Sequence, residues 1–238
     1  MARTVQSLSK PQTNNCHLLV LISGSGTNLQ VIIDQCENGT IPAQVCGVIS
    51  DEPQAKGLQR AKNARIQTTV VDHRCFDNRQ SFDLRLGEEI DRYRPDLVVL
   101  AGFMRILDAK LAGRYYGRML NIHPSLLPDY PGLNTHARAI AGLATEHGAS
   151  VHFVTPELDA GPIVIQGRVP VLPSDTPESL AQRVHQEEYR IYPTAINWFA
   201  RGRLSIEADR VLLDGHPIDM SARDGRNATL FNQPGSTD

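Results

Sequence analysis

The stretch His17-Leu18-Leu19-Val20-Leu21-Ile22-Ser23-Gly24-Ser25-Gly26-Thr27-Asn28-Leu29 decides the fold. Residues 17–23 are an almost unbroken apolar run, the pattern of a strand buried on both faces of a parallel sheet. The run passes straight into a glycine-containing turn, and 28–36 then takes up helical spacing. The same grammar recurs downstream. Strands are expected at 44–50, 68–72, 97–101 and 118–122, and helices at 55–64 and 79–93. The last helix stops before Pro95, because a residue preceding proline resists αR geometry. This βαβα order predicts an α/β fold: a doubly wound, mainly parallel twisted sheet with flanking helices and right-handed crossovers.

Beyond 122 the pattern changes. Segments 150–154 and 163–169 read as strands around a turn-rich stretch, 155–162, so the C-terminal strands are expected to be partly antiparallel. A long helix follows over 177–199, with Thr176 as N-cap and Pro177 at the first helical position, where its missing N–H costs nothing. A hairpin over 204–213 closes the fold. Residues 1–15 are polar, lack acids and read as a disordered leader; 16–214 form one domain; 215–238 read as a flexible tail.

Composition narrows the classes. With 238 residues, 41% hydrophobic and 21% charged, the chain is neither disordered nor a disulfide mini-domain. Its apolar runs are strand-sized, which excludes a membrane protein. The net charge of −2 supplies no basic field for nucleic acid, so an anionic ligand must be held by local groups. Cys16, Cys36, Cys46 and Cys75 form no C-x-x-C, which fits a reducing compartment. The histidines show no metal-ligand spacing, so no metal is expected.

Three features carry chemistry. Gly24, Ser25, Gly26, Thr27 and Asn28 link the first strand to its helix, where free N–H groups favour an anion. Leu29 stands where a dinucleotide fingerprint needs a third glycine, but Asp51 keeps that reading open as a ribose-binding acid. A phosphate-binding P-loop is excluded by the absence of a Lys-Ser/Thr pair. A single phosphate on a small substrate is the preferred reading, with a ligand-free βα turn as the alternative.

Second, Asn121 and His123 stand two apart on a strand, hence on one face, and Pro124 puts them at the carboxyl edge of the sheet. An amide that donates to an oxyanion beside an imidazole that carries a proton suits addition to a carbonyl. The alternative is a polar pair capping the loop 125–132. Asp159, before Gly161-Pro162, is ordinarily a turn-former. Were it beside His123, its charge would favour the imidazolium, the form able to donate a proton. Third, Glu188 falls inside the apolar stripe of Leu180, Val184, Ile191, Ala195, Trp198 and Phe199. A buried acid needs a cation or donors; Arg183 or Arg190 could supply one, or a ligand's amino group could.

Taken together, Leu21-Ile22-Ser23-Gly24-Ser25-Gly26-Thr27-Asn28-Leu29-Gln30, Ala101-Gly102-Phe103-Met104-Arg105-Ile106-Leu107, Asn121-Ile122-His123-Pro124-Ser125-Leu126-Leu127-Pro128 and Leu158-Asp159-Ala160-Gly161-Pro162 resemble the glycinamide ribonucleotide branch of the folate-dependent formyltransferases. The likeness runs from about residue 17 to 213. It implies transfer of a formyl group from 10-formyltetrahydrofolate, as co-substrate, to the amino group of phosphoribosylglycinamide in purine synthesis. It implies that Gly24, Ser25, Gly26, Thr27 and Asn28 hold the ribonucleotide phosphate and that Glu188 grips the glycinamide end. Met104, Arg105, Ile106, Leu107 and Asn121 would bind the folate, with Arg79 at its anionic tail. Asn121, His123 and Asp159 would be the catalytic trio. The family often has a histidine in its mobile loop where this chain has Asn134, two residues before His136. The expected partners are small molecules, without nucleic acid or membrane, for a cytoplasmic monomer or weak homodimer. A formyltetrahydrofolate hydrolase and a non-catalytic nucleotide-binding module are the rival readings. A formyltransferase acting on methionyl-tRNA would need an RNA-binding segment after 213.

Overall fold

Strand β1 (Cys16–Ile22) sends Leu18, Val20 and Ile22 to one side of the central sheet and Leu19 and Leu21 to the other, and all five are fully buried. That double burial is what its apolar run requires. The computed structural model describes residues 16–218; the 1–15 leader and the tail from 219 onward lie outside the described residues.

In chain order the elements are β1, α1 (Thr27–Glu37), β2 (Ala43–Ser50), α2 (Lys56–Asn63), β3 (Thr68–Val70), α3 (Arg79–Tyr93), β4 (Leu97–Leu100), α4 (Ala109–Arg114), β5 (Met119–His123), α5 (Thr135–Ala141), β6 (Glu146–Phe153), β7 (Ile163–Pro170), α6 (Pro177–Ala200), β8 (Leu204–Glu207), β9 (Arg210–Leu213) and β10 (His216–Pro217). Seven strands form one sheet in the order β3-β2-β1-β4-β5-β6-β7. The pairings from β3 across to β5 are parallel, and β6 and β7 join antiparallel. This is the doubly wound sheet with partly antiparallel C-terminal strands that the periodicity predicts.

Several boundaries differ from the sequence reading for local reasons. The third strand stops at Val70, because Asp72 turns its carboxylate to the Arg74 N–H and caps a short 3₁₀ turn, His73–Cys75. β5 is displaced by one residue, so His123 itself belongs to the strand. β6 begins at Glu146 rather than at 150, since Gly148 lies flat against Gly167 of β7 and extends the ladder through a stretch with weak strand signature. The C-terminal ladder continues past 214, where β10 pairs with β9. The short helices α4 and α5 carry no sequence periodicity strong enough to have been anticipated.

α6 starts as expected. The Thr176 hydroxyl accepts the Ser179 N–H, Ser179 returns the bond in a capping box, and Pro177 opens the first turn. Farther along α6, the fully buried Tyr192 shares its hydroxyl proton between the carbonyls of Leu100 (2.9 Å) and Leu120 (3.0 Å). The helix is thereby bonded to the carboxyl end of β4 and to β5 one residue before Asn121. Among the described residues, no helix is long and apolar enough to cross a membrane.

Candidate active site

The carboxyl ends of β1, β4 and β5, the turn after β6 and one face of α6 enclose a cleft of about 960 Å³, room for two small ligands side by side. It lies where ligands enter open α/β sheets. Its floor is the pair from β5. Asn121 and His123 project together, as their spacing on a strand dictates, and both line the cleft.

Asp159 comes to the same place. It sits in the turn after β6 with φ +50°, a left-handed conformation that Asp tolerates better than most residues. One carboxylate oxygen accepts the Gly132 N–H (2.8 Å) and lies 3.4 Å from His123 Nδ1. The His123 Nε2 faces the Tyr130 carbonyl at 3.0 Å. Each ring nitrogen of His123 thus meets an oxygen acceptor.

His152 is the residue that sequence reasoning passed over. The antiparallel register of β5 and β6 sets it directly opposite Asn121. Its Nδ1 lies 3.0 Å from the Phe153 carbonyl, which can only accept, so that nitrogen carries the proton. Burial disfavours the imidazolium and lowers the pKa. The neutral ring therefore offers an Nε2 lone pair to the Asn121 amide N–H at 3.1 Å. This orients the amide and leaves its second N–H for the cleft. Asp159 lies 3.8 Å from the same Nε2. No short-range motif marks His152, because only the pairing of β6 with β5 creates its role.

At the opposite wall, Gly24, Ser25, Gly26, Thr27 and Asn28 line the cleft at the start of α1. Gly26 is the N-cap with φ +70°. A side chain there would strike Gly57 Cα at 2.5 Å, so glycine is required twice over. Glu188, 5% exposed, reaches this end from α6 and accepts the Asn28 Nδ2 N–H at 2.8 Å. Arg183 binds Asp175 and Arg190 binds Glu187, and among the described residues no ion pair reaches Glu188. The bland explanation for the acid therefore fails. Burial raises the Glu188 pKa, and the Asn28 bond offsets only part of that. The Asn28 Oδ1 beside it is buried without a partner. A carboxylate and an orphan acceptor facing one cleft call for a ligand rich in N–H groups.

Between the two ends runs the loop after β4. Met104, Arg105, Ile106 and Leu107 all line the cleft, with Met104 and Ile106 69% and 49% exposed. Arg79 is not part of the cleft wall; its guanidinium donates to the Leu107 carbonyl at 2.6 Å and stays half-exposed at the outer edge. Asp51 overturns one reading. It is 2% exposed and accepts the Arg105 Nε–H at 2.8 Å, with His73 beside it, so it is not open to a ribose. The dinucleotide alternative loses its acid. Asn134 lines the cleft in a left-handed conformation, and His136 bonds His147 at 3.2 Å. Among the described residues no group of three or more His, Cys, Asp or Glu is placed to hold a metal ion.

A doubly wound sheet with an amide and an imidazole at the end of one strand, a carboxylate brought beside them by the turn after β6, and an anion cradle opposite defines an α/β group-transfer enzyme that works on a carbonyl carbon. The chain belongs to the formyl transferase family, whose model matches residues 16–196. It is 50% identical over 202 residues to the phosphoribosylglycinamide formyltransferase of Escherichia coli (strain K12), an alignment covering 85% of this chain and 95% of that one. It is 40% identical over 195 residues to the trifunctional purine biosynthetic protein adenosine-3 of Homo sapiens, covering 82% of this chain and 19% of that one. The solved phosphoribosylglycinamide formyltransferase of Coxiella burnetii superposes with a TM-score of 0.82 at 50% identity, covering 86% of this chain and 96% of that one. Family membership makes the chain a formyltransferase and implies a folate-derived formyl donor.

Proposed function

We propose that the cleft transfers the formyl group of 10-formyltetrahydrofolate to the amino group of phosphoribosylglycinamide, a step of de novo purine synthesis. Gly24, Ser25, Gly26, Thr27 and Asn28 bind the phosphate through backbone N–H groups at the start of α1. Glu188 and the unsatisfied Asn28 Oδ1 receive the N–H groups of the glycinamide end. Met104, Arg105, Ile106 and Leu107 cover the flat pterin, and Arg79 meets the anionic tail outside.

Asn121 and His123 face the formyl oxygen as negative charge develops on it; one such donor is worth roughly 2.7–4 kcal/mol. His123 then moves the proton that the leaving folate nitrogen needs, and Asp159 balances the charge on the ring, for about 10²–10⁴-fold in rate. Holding amine and formyl carbon in attack geometry contributes ~7–11 kcal/mol more. The observation that carries this reading is the meeting of Asp159, His123 and Asn121 in the same cleft as the glycine loop.

The partners are small molecules rather than nucleic acid or membrane, for a monomer or weak homodimer. The four unpaired cysteines suit a reducing, cytoplasmic setting. An absorbance assay for folate release, run with and without phosphoribosylglycinamide, tests the assignment. Release that requires the ribonucleotide supports it. Equal release without it indicates a hydrolase, and none at all a binding module.

A further inference from the structure

The loop between β1 and α1 is tied to α2. Two bonds from α2 hold it: the Gly57 N–H donates to the Gly24 carbonyl at 3.0 Å, and the Arg60 Nε–H donates to the Ser25 carbonyl at 2.9 Å. In a trans peptide the carbonyl and the following N–H point in opposite directions. Drawing both carbonyls toward α2 therefore turns the N–H groups of Ser25 and Gly26 away from it, to the side where these residues line the cleft. Successive N–H groups turned to one side form an anion nest. Among the described residues neither N–H has a hydrogen-bond partner.

Gly57 and Arg60 reach the loop because the packing is close. Gly26 Cα lies 3.1 Å from where a Gly57 Cβ would stand, and the Arg60 Cδ lies 3.4 Å from a Cβ on Gly26. A further Arg60 N–H, on Nη1, meets Gln30 Oε1 on α1 at 3.4 Å, which ties the guanidinium across the loop to the helix that follows. Arg60 contributes nothing to the described cleft wall, so its influence passes through the loop and its positive charge stands behind it.

We propose that Arg60 is a positioning residue for the substrate phosphate: it fixes the Ser25–Gly26 peptide with its N–H toward the phosphate and sets a cation behind the loop. The inference rests on the placement of the ribonucleotide phosphate proposed above.

The test crosses Arg60→Met with removal of the phosphate. On phosphoribosylglycinamide the variant is expected to raise KM about 10–100-fold, the range of a charge-assisted hydrogen bond, with kcat and the folate KM within about twofold. Inhibition by inorganic phosphate should weaken in parallel. On the dephosphorylated nucleoside, kcat/KM should match wild type, because the interaction that Arg60 supports is already gone. Arg60→Lys, which keeps the charge without the guanidinium fork, should show the same selective rise to a smaller degree. An equal loss on the nucleoside makes Arg60 a general structural residue and overturns the proposal, as does an unchanged KM in both variants. Should wild-type enzyme treat nucleotide and nucleoside alike, the phosphate placement itself fails, independently of Arg60.

Discussion

Asp159→Asn is the most incisive perturbation of the site. Asn is nearly isosteric and, like Asp, accepts the left-handed backbone at φ +50°, whereas Ala would add strain of its own. Its amide oxygen can still take the Gly132 N–H that the carboxylate accepts at 2.8 Å. What disappears is the negative charge 3.4 Å from His123 Nδ1. At an effective dielectric of about 20, a unit charge at that distance interacts with an imidazolium by roughly 5 kcal/mol. At 1.36 kcal/mol per decade this corresponds to about 10³–10⁴ in rate if the protonated ring exists only on the reaction path. The expected result is a fall in kcat of about that size, with both KM values within about threefold. Steady-state folate release gives kcat, and calorimetric titration of each substrate gives the affinities. Near-normal turnover, or a loss that lies wholly in KM, would refute the role given to this carboxylate.

Gly26→Val places a Cβ against Gly57 and forces a β-branched residue to φ +70°; the ribonucleotide KM should rise more than the folate KM, and Tm should fall by several degrees. Glu188→Gln removes a buried charge, so the free enzyme should gain roughly 1 kcal/mol near neutral pH by denaturant titration while the ribonucleotide KM rises at least tenfold. Because the native state holds the Glu188 proton above the unfolded value of 4.5, the gain should shrink as pH falls toward that value. Burial pushes the His147 imidazole from 6.5 down to about 4, so the unfolded chain binds more protons between those values and stability should drop on acidification through that window, on the order of 1–3 kcal/mol. His147→Phe should flatten that part of the pH–Tm curve; an unchanged slope assigns the loss elsewhere.

The fold was legible because its determinants are local. The apolar run of β1, the glycine turn and the Thr176-Pro177 start of α6 each declare themselves within a few residues. Part of the site was legible for the same reason: Asn121 and His123 share a strand face, and Glu188 interrupts an apolar stripe. Asp159 was legible only through the family resemblance, since a turn-forming Asp looks the same whether or not a histidine stands 3.4 Å away. His152 and Arg60 depend on contacts between elements far apart in sequence, an antiparallel register for one and the seating of α2 on a loop for the other. Asp51 misled because the end of β2 is where a ribose-binding acid would stand; only the arrival of Arg105 shows that the carboxylate is already engaged.

The shared proton of Tyr192 couples α6 to the strand that carries Asn121. Leu120 immediately precedes Asn121, and Glu188 lies one turn before Tyr192 on the same face of α6. A shift of the helix would load β4 and β5 through that hydroxyl, which ties the position of Glu188 to that of Asn121. The segment between β5 and α5 is pinned to the same frame, since Tyr130 and Gly132 meet His123 and Asp159, Leu127 bonds Ser150 and Gln166, and Arg138 donates to the Pro131 carbonyl.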